Sequence, residues 1–372
     1  MKIAIITHKT SNLVNSRGEL IELLEKKGHT VIAICNEDTS REKIQKLGAK
    51  YRCATFNRTS ISFIHNIKYL KTLEKILKEE KVDVVLMYTI KPIIFGSIAA
   101  KKNKVKKIYS LITGMGYNYS IDTIRIKFIR IFCSLGYKIA LKNNTKVIFQ
   151  NKEDMQELLK KRYIKKEQAE LVNGTGVNLK VFTQEENCLG GKFTFLMVSR
   201  MLNVKGLIEF CKAAEIIKNK YPNTRFIHLG EEENTYRGVK KDFIKRYKEK
   251  GIIEFKGRTK NVKEYMKECN VVVLPSYLRE GIPRTLQEAL AVGRPIITTN
   301  IRGCKEAVIE KENGYLIPPK NVNELVMAME KMLQKSDTEI KLMSQKSYEL
   351  ALEKFDINII NNKMVKIIEG EE

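Results

Sequence analysis

Short apolar segments alternate with longer amphipathic segments along the whole chain. The apolar segments have the length of buried strands, and the segments between them repeat apolar residues with the helical period. Such alternation is typical of parallel sheets whose strands are joined by crossover helices. The predicted strands are residues 2–7, 30–35, 82–88, 107–111 and 146–150, followed by 193–198, 225–229, 252–255, 271–274, 296–299 and 314–317.

The strand series restarts after residues 177–183, which predicts two Rossmann-like α/β domains facing each other across a cleft. We place the first domain at 1–178 and the second at 179–345. Residues 346–372 form a third segment. Most of it lies in a final helix, predicted at 343–368, which is long enough to cross back to the first domain. The other predicted helices are 16–27, 42–47, 63–79, 95–102, 123–141 and 152–160.

The composition is that of a globular protein. With 372 residues, 43% of them hydrophobic and 30% charged, the chain can bury the cores of about two domains. No apolar run approaches the roughly 18 residues of a membrane span. The N-terminal segment 1–7 is a short strand pattern without the length of a secretory signal. We therefore expect a cytoplasmic protein.

Cysteine and histidine residues are scattered rather than clustered. Their spacing fits neither a disulfide framework nor a metal site, so no metal is expected. The residues are Cys35, Cys53, Cys133, Cys188, Cys211, Cys269 and Cys304, with His8, His29, His65 and His228.

The chain is basic, with a net charge of +25, and the excess lies in its first half. Residues 1–178 hold 34 Lys and Arg against 16 Asp and Glu, whereas the remainder holds 34 against 27. Such asymmetry indicates a nucleic acid, an anionic membrane or an acidic ligand as partner. A lysine-rich proteome is the alternative explanation.

The most informative segment runs from Leu274 to Asn300. A strand pattern is followed by a turn through Gly281 and Pro283, a helical run and a second strand. Glu280 lies before the predicted helix and Glu288 about one turn into it. Both carboxylates can face the crevice at the carboxyl ends of parallel strands, where open α/β sheets bind ligands. The alternative is an ordinary βαβ unit with two solvated glutamates.

This segment resembles the Glu-x7-Glu signature of retaining glycosyltransferases of the GT-B fold, family 4. The resemblance implies that Glu280 contacts the sugar of a nucleotide-sugar donor and that Glu288 holds the ribose. It implies a UDP-linked co-substrate and no metal requirement. The residues expected at the donor from this segment are Gly281, Ile282, Pro283, Thr285 and Leu286.

Arg200 and Lys205, followed by Gly206, resemble the family's Arg-x4-Lys-Gly motif. The resemblance implies that both cations hold the donor diphosphate. Fixed cations lower the barrier where charge builds on a leaving phosphate. In the alternative reading both are surface cations at a strand end. Arg258 and Gly230, which follow other predicted strands, are further donor-site candidates.

The first domain is expected to bind the acceptor. Asn15 and Arg17 resemble the Asn-x-Arg of a bacterial surface-polysaccharide subgroup; alternatively, Asn15 caps the first helix and Arg17 is solvated. The first loop lacks the family's usual Gly-Gly pair, and the loop after the fourth predicted strand lacks its usual histidine. The acceptor or cleft candidates are His8, Asn15, Arg17, Gly114, Gly116 and Tyr117.

Residues 124–141 are both basic and apolar. Ile124, Phe128, Ile131, Leu135 and Ile139 share one helical face. Such a helix lies on an anionic membrane in some proteins. More often, a face of this kind packs into the core of the protein, and we expect that arrangement here.

The resemblance thus implies a retaining hexosyltransferase. It would move an N-acetylhexosamine or another UDP-linked hexose to an undecaprenyl-diphosphate-linked glycan in bacterial surface polysaccharide assembly. The partners implied are the nucleotide-sugar, the lipid-linked acceptor and the anionic inner face of the plasma membrane. Two alternatives remain: a nucleotide-sugar hydrolase or epimerase on the same fold, and a basic nucleic-acid-binding protein. No nucleic-acid motif supports the latter.

Overall fold

Two parallel sheets organise the chain, and each forms the centre of a separate unit in the computed structural model. The structure describes residues 1–36, 41–57, 62–187 and 191–371. The first unit comprises Met1–Thr175 together with Asn358–Glu372, and the second comprises Gly176–Ile357. Both units have the predicted α/β architecture.

The first unit contains a seven-stranded sheet with the order β3-β2-β1-β4-β5-β6-β7, whose neighbouring strands all run parallel. Its strands are β1 Lys2–Lys9, β2 Thr30–Asn36, β3 Lys50–Cys53, β4 Val84–Tyr88, β5 Lys107–Ile112, β6 Lys146–Phe149 and β7 Ala169–Leu171. Its helices are α1 Thr10–Lys26, α2 Arg41–Lys46, α3 Phe63–Glu80, α4 Ile90–Lys102, α5 Ile124–Leu141 and α6 Lys152–Lys160.

The second unit contains a six-stranded parallel sheet with the order β10-β9-β8-β11-β12-β13. Its strands are β8 Phe193–Val198, β9 Thr224–Leu229, β10 Glu254–Phe255, β11 Val271–Leu274, β12 Ile296–Thr299 and β13 Gly314–Ile317. Its helices are α7 Leu207–Lys220, α8 Lys241–Glu249, α9 Val262–Glu268, α10 Arg284–Ala291, α11 Val322–Leu333 and α12 Asp337–Leu350; α13 Ile357–Glu369 returns to the first unit.

The central strands are largely apolar because helices cover both faces of each sheet. Every residue of β4, β11 and β12 is buried. The edge strand β3 has the sequence Lys-Tyr-Arg-Cys, whose residues are exposed or half-buried. This polar sequence explains why the sequence pattern missed β3, and the three-residue edge strand β7 was missed because it is so short.

The C-terminal helix predicted at 343–368 is interrupted. Residues Ala351–Phe355 form a π-helical turn between α12 and α13. At this break Val177 donates its N–H to the carbonyl of Phe355 at 2.8 Å and accepts from Ile357 at 3.0 Å. The segment that belongs to the first unit therefore begins at Asn358, and not at residue 346 as predicted.

Helix α13 completes the core of the first unit. Ile360, Met364, Val365 and Ile368 are buried in the same cluster as β1. Glu369 fixes the end of this helix, because its carboxylate contacts both Lys27 and His29 at 2.9 Å.

Two helices differ from the sequence expectation in ways that concern function. Helix α1 begins at Thr10, directly after β1, so Asn15 and Arg17 lie inside the helix and not in a preceding loop. The prediction that Asn15 caps α1 is wrong, since Lys9 occupies that position. The face of α5 that we expected in the core is exposed, as Phe128 and Leu135 illustrate at 61% and 53%.

Candidate functional site

The carboxyl ends of the strands in the second sheet define one edge where loops from separate parts of the chain meet. Strand β8 has β9 on one side and β11 on the other, so the strand order reverses direction beside β8. Open α/β sheets bind ligands at such a switch point. The loops after β8, β9 and β11 carry most of the residues that the sequence analysis selected for the donor.

Lys205 and Glu280 form an ion pair across this switch point. Lys205 ends a short 3-10 turn after β8, and Glu280 lies in the loop after β11. Their side chains are only 13% and 22% exposed. The buried Ser276 hydroxyl donates to the carbonyl of Val204 at 3.2 Å and lies 3.5 Å from the Glu280 carboxylate. The pair therefore occupies a defined, largely desolvated position.

Glycine is required where these loops pack against each other. Gly206 has a φ of +79°, and a Cβ there would overlap the carbonyl of Pro275 in the loop after β11. A Cβ at Gly303 would likewise overlap the carbonyl of Gly281. The absence of a side chain at Gly206 lets the loop that carries Lys205 approach the loop after β11. The absence of one at Gly303 lets the loop after β12 approach the same loop beside Glu280.

Helix α10 contributes the second carboxylate, one turn after its start. Arg284 donates to Glu288 at 2.8 Å, and the Glu288 side chain is 13% exposed. Burial raises the pKa of Glu288, although the charge and hydrogen bond of Arg284 lower it in part. The Thr285 hydroxyl donates to the carbonyl of Val198 at 3.2 Å and so fixes the start of α10 to the end of β8. A helix N-terminus at this place favours a bound anion.

Arg200 and Arg258 are more exposed than Lys205, at 51% and 77% for their side chains. Arg200 contacts Glu233 at 3.2 Å, and Arg258 contacts Glu231 at 3.5 Å. Both carboxylates belong to the acidic segment Glu231–Glu233, for which no role was predicted. The run of three glutamates directly after Gly230 is the feature of the sequence that could have indicated such contacts.

Backbone hydrogen bonds join the loops after β8, β9 and β10. Ser199 donates to Leu229 at 2.9 Å, and Gly230 donates to Gly257 at 2.8 Å. A Cβ at Gly230, whose φ is +148°, would overlap the carbonyl of Ser199. Close backbone packing therefore requires glycine at position 230. A cavity of about 540 Å³ borders this edge and is lined by Asn203 and residues 232–236 and 238–241.

Four of the predicted donor residues are buried rather than presented to a ligand. Gly281, Ile282, Pro283 and Leu286 all lie below the surface, and Leu286 is fully buried in the core of the second unit. The side chain of Leu286 therefore serves packing, and only backbone groups of this turn remain available. Gln287 fixes the turn by donating to the carbonyl of Ile282 at 2.9 Å.

The acceptor candidates of the first unit lie near the carboxyl ends of the neighbouring strands β1, β4 and β5. His8 is the penultimate residue of β1 and stacks edge-on against Phe56, with ring centroids 5.1 Å apart. Gly114 and Gly116 have φ values of +97° and +77°, and Tyr117 begins the short 3-10 turn that follows. The structure thus places these four residues at one edge of the sheet.

Arg17 is buried at 3% exposure, so the prediction of a solvated guanidinium is wrong. Burial raises the pKa of Tyr88, whereas the hydroxyl of Thr7 and the charge of Arg17 lower it. Arg17 therefore faces the ends of β1 and β4, whereas Asn15 is exposed on the helix surface. The structure does not bring Asn15 and Arg17 to one side of α1.

Thr89, which follows β4, was missed by the sequence analysis. It is a non-glycine residue with a φ of +73°, a strained conformation that concentrates at functional sites. Its hydroxyl is buried and, within the part of the chain that the structure describes, makes no hydrogen bond. Nothing in the local sequence signals a positive φ at threonine.

No group of three His, Cys, Asp or Glu side chains among the described residues could hold a metal ion. The six cysteines that fall in the described ranges are free, and Cys188 lies outside those ranges. Over the same ranges, no helix combines the length and apolar character needed to cross a bilayer.

The two halves of the sequence match two related families. Residues 2–151 match the family described as glycosyl transferase 4-like, and residues 181–349 match glycosyl transferases group 1. Together these matches account for most of the chain.

Two bacterial enzymes illustrate the similarity along the chain. The N,N'-diacetylbacillosaminyl-diphospho-undecaprenol alpha-1,3-N-acetylgalactosaminyltransferase of Campylobacter jejuni is 26% identical, over 99% of this chain and 98% of that protein. The UDP-Gal:alpha-D-GlcNAc-diphosphoundecaprenol alpha-1,3-galactosyltransferase of Escherichia coli is 28% identical, over 77% of this chain and 75% of that protein.

Solved structures share the fold. A glycosyltransferase from Rickettsia africae aligns with a TM-score of 0.78 at 20% identity, over 99% of this chain and 98% of that one. Anabaena HepE, solved in complex with UDP and glucose, aligns with a TM-score of 0.77 at 14% identity, over 100% of both chains. These alignments show that the chain has the GT-B fold.

The buried charge of Glu288 predicts a measurable effect on stability. A carboxyl group whose pKa is higher in the folded than in the unfolded protein does not change stability when the pH is below the unfolded pKa. As the pH rises past that value the group increasingly destabilises the native state, and the full destabilisation is reached above the folded pKa. We predict that Glu288→Gln melts at a higher temperature than the parent at about pH 8 and that this difference disappears at about pH 4. Thermal denaturation at both values measures it.

The control is Glu264→Gln, at a side chain that is 61% exposed. This variant should melt within about 1 °C of the parent at both pH values, because exposed ion pairs contribute little. A parent protein more stable than Glu288→Gln at pH 8 would show that Arg284 fully offsets the burial of the carboxylate.

Proposed function

Because the chain belongs to the glycosyl transferases of group 1, with a 4-like N-terminal half, we propose that it moves a hexose from UDP to a lipid-linked glycan. The transferred sugar is of the N-acetylhexosamine or galactose type. The acceptor is a sugar carried on undecaprenyl diphosphate in bacterial surface polysaccharide assembly, and the anomeric configuration is retained. The two bacterial relatives, whose names specify such acceptors, support this choice.

The observation that carries the proposal is the Lys205–Glu280 pair at the switch point of the second sheet. A nucleotide-sugar presents a dianionic diphosphate next to a neutral sugar with hydroxyl groups. A cation and a carboxylate held side by side match these two parts. Lys205 is therefore assigned to the diphosphate and Glu280 to the sugar.

Arg200 and Lys205 supply positive charge to the leaving diphosphate, so the proposed reaction requires no metal ion. Negative charge develops on the bridging oxygen as the sugar departs, and preorganised cations stabilise that transition state. Arg200 contacts Glu233 at 3.2 Å. Binding of the diphosphate would replace that carboxylate, since a guanidinium can hold phosphate oxygens in a bidentate manner.

Glu288 is assigned to the ribose. Its carboxylate lies one turn into α10, largely buried and directed by Arg284. A carboxylate accepts hydrogen bonds from the two ribose hydroxyls without competition from water when it is desolvated. The backbone N–H groups of Gly281, Ile282 and Thr285 are assigned to the phosphates, and Pro283, which has no N–H, shapes the turn. Arg258 and Gly230 border the nucleobase.

The first unit is assigned to the acceptor. His8 lies at the end of β1, and Gly114, Gly116 and Tyr117 follow β5, so all four lie at the carboxyl edge of the first sheet with β4 between the two strands. This common edge supports the assignment. Arg17 provides a buried positive charge at the same edge, which suits an acceptor diphosphate. Asn15, exposed on the surface of α1, is a peripheral member of this group.

The lipid-linked acceptor locates the reaction at the inner face of the plasma membrane. The basic excess in residues 1–178 supports this location, because each Lys or Arg near an anionic bilayer contributes about 1 kcal/mol of attraction. The first unit would thus both bind the acceptor and face the membrane that holds it.

The test is a transfer assay with UDP-GalNAc, UDP-GlcNAc and UDP-Gal as donors and synthetic diphosphate-linked sugars as acceptors. We predict transfer with retention, and a decrease in kcat/KM of about 100-fold or more in Arg200→Ala and in Lys205→Ala. The exposed Lys212→Ala in α7 should match the parent. Release of UDP without transfer to any acceptor would instead indicate a hydrolase.

The two glutamates should lose function in different ways. We predict that Glu288→Ala weakens UDP binding, because it removes the ribose contact, and that Glu280→Ala abolishes transfer without weakening UDP binding. Calorimetry with UDP, together with the transfer assay, separates the two effects. An equal loss of UDP affinity in both variants would contradict the division of roles.

A further inference from the structure

Helix α5 presents an apolar face to solvent. Six large apolar side chains on this helix are more than half exposed. They are Ile124 (77%), Phe128 (61%), Ile131 (55%), Phe132 (73%), Leu135 (53%) and Ile139 (60%). At 100° per residue they occupy about 100° of the helix circumference, so they form one continuous stripe.

The opposite face of α5 is apolar as well and is buried in the first unit. Ile126, Tyr137, Ala140 and Leu141 are all 7% exposed or less. A surface helix ordinarily pairs one apolar face with a polar outer face. Exposed apolar patches of this kind mark interaction surfaces in monomeric proteins. We therefore expect the outer stripe of α5 to be covered by a binding partner.

The charges around the stripe identify that partner. Residues 123–152 contain seven Lys or Arg and no Asp or Glu. Lys127 and Lys138 are exposed and lie along one border of the stripe, and the exposed Lys142 follows the stripe at the end of the helix. An apolar stripe bordered by lysines is the pattern of a helix that lies in the interface of an anionic bilayer.

We propose that the outer stripe of α5 inserts into the headgroup and acyl boundary of an anionic membrane. Pairing of this stripe with a second copy of the chain would bring two sets of lysines together, which their repulsion disfavours. Phe63 and Ile64, at the start of α3, are further exposed apolar side chains of the first unit. Lys91 connects the two regions. The Lys91 side chain donates to Asn66 of α3 at 2.9 Å. Lys91 also lies near Cys133 of α5: burial raises the pKa of this thiol, and the charge of Lys91 lowers that pKa in part.

The insertion would also position the loop of the acceptor candidates. Arg130 of α5 donates to the carbonyls of Asn118 and Ile121 at 3.0 and 2.8 Å. The Tyr119 hydroxyl lies 3.0 Å from that of Ser134 in α5. This segment directly follows Gly114, Gly116 and Tyr117. If the proposed function is correct, a membrane-bound α5 therefore holds the acceptor loop at the level of the lipid diphosphate.

Vesicle sedimentation of the full chain tests the stripe. We expect Ile131→Ser/Leu135→Ser to lower the partition coefficient on phosphatidylglycerol-containing vesicles about tenfold or more, since it removes two inserted side chains. Ile216→Ser/Leu342→Ser is the matched control, because it removes an exposed Ile and Leu of the second unit at 45% and 61% exposure. It should bind like the parent. Part of the parent's binding should survive about 1 M NaCl, where the Debye length is about 3 Å.

A tryptophan reporter gives a second measurement that does not depend on a destabilising substitution. The chain contains no Trp, so a single one reports its own surroundings. Phe132→Trp and the control Tyr236→Trp replace side chains that are both 73% exposed. Anionic vesicles should shift the emission of the first to shorter wavelength and leave that of the second unchanged.

Three results would overturn the proposal: no vesicle binding by the parent, equal binding by parent and Ile131→Ser/Leu135→Ser, or a dimer that shifts the emission of the Phe132→Trp variant without lipid.

Transfer to a short-chain, water-soluble acceptor separates this proposal from the proposed function. Loss of vesicle binding with that transfer intact supports the role of α5. Vesicle binding through α5 in a protein that transfers no sugar contradicts the proposed function alone.

Discussion

The second unit depends on the ion pair between Lys205 and Glu280. Its partners come from loops 75 positions apart in sequence, after β8 and β11, and both side chains are largely withdrawn from solvent. Desolvating two charges is costly unless they meet each other or another charged group, and leaving one of them unpaired costs more. The pair therefore fixes both loops relative to each other, and Gly206 provides the room that this close approach requires. Gly303 likewise lets the loop after β12 pack against the loop that carries Glu280. Arg200, the start of α10 and Glu288 are arranged around the pair.

The sequence pattern predicted the second unit closely because its strands are short apolar runs bounded by turn residues. The strands 193–198, 271–274, 296–299 and 314–317 have the predicted limits. Edge strands were missed where one face is solvated, as in β3. Contacts between distant residues could not be read from one sequence. The Lys205–Glu280 pair and the contact of Arg200 with Glu233 are of this kind, because their geometry depends on tertiary packing.

The first unit departs twice from the usual distribution of polarity, and neither departure could be predicted. Arg17 carries a charge into a buried position at the ends of β1 and β4, whereas Phe128, Phe132 and their neighbours on α5 carry apolar surface into solvent. Helical periodicity identified the apolar stripe of α5 correctly. Because α5 has two apolar faces, however, periodicity alone could not decide which of them packs against the core. Under the proposed function, the buried cation would serve the acceptor diphosphate and the apolar surface next to the candidate loop would serve its lipid.

The most direct test of the central pair is its coupling to UDP, measured by calorimetry on Glu280→Gln, Lys205→Met and the double variant. If Lys205 exchanges Glu280 for the diphosphate, Glu280→Gln should bind UDP more tightly than the parent, because the competing carboxylate is gone. Lys205→Met should bind more weakly, and the double variant should match Lys205→Met, so that the two effects are not additive. Additive effects, or Lys205→Met binding UDP like the parent, would contradict the assignment of Lys205 to the diphosphate.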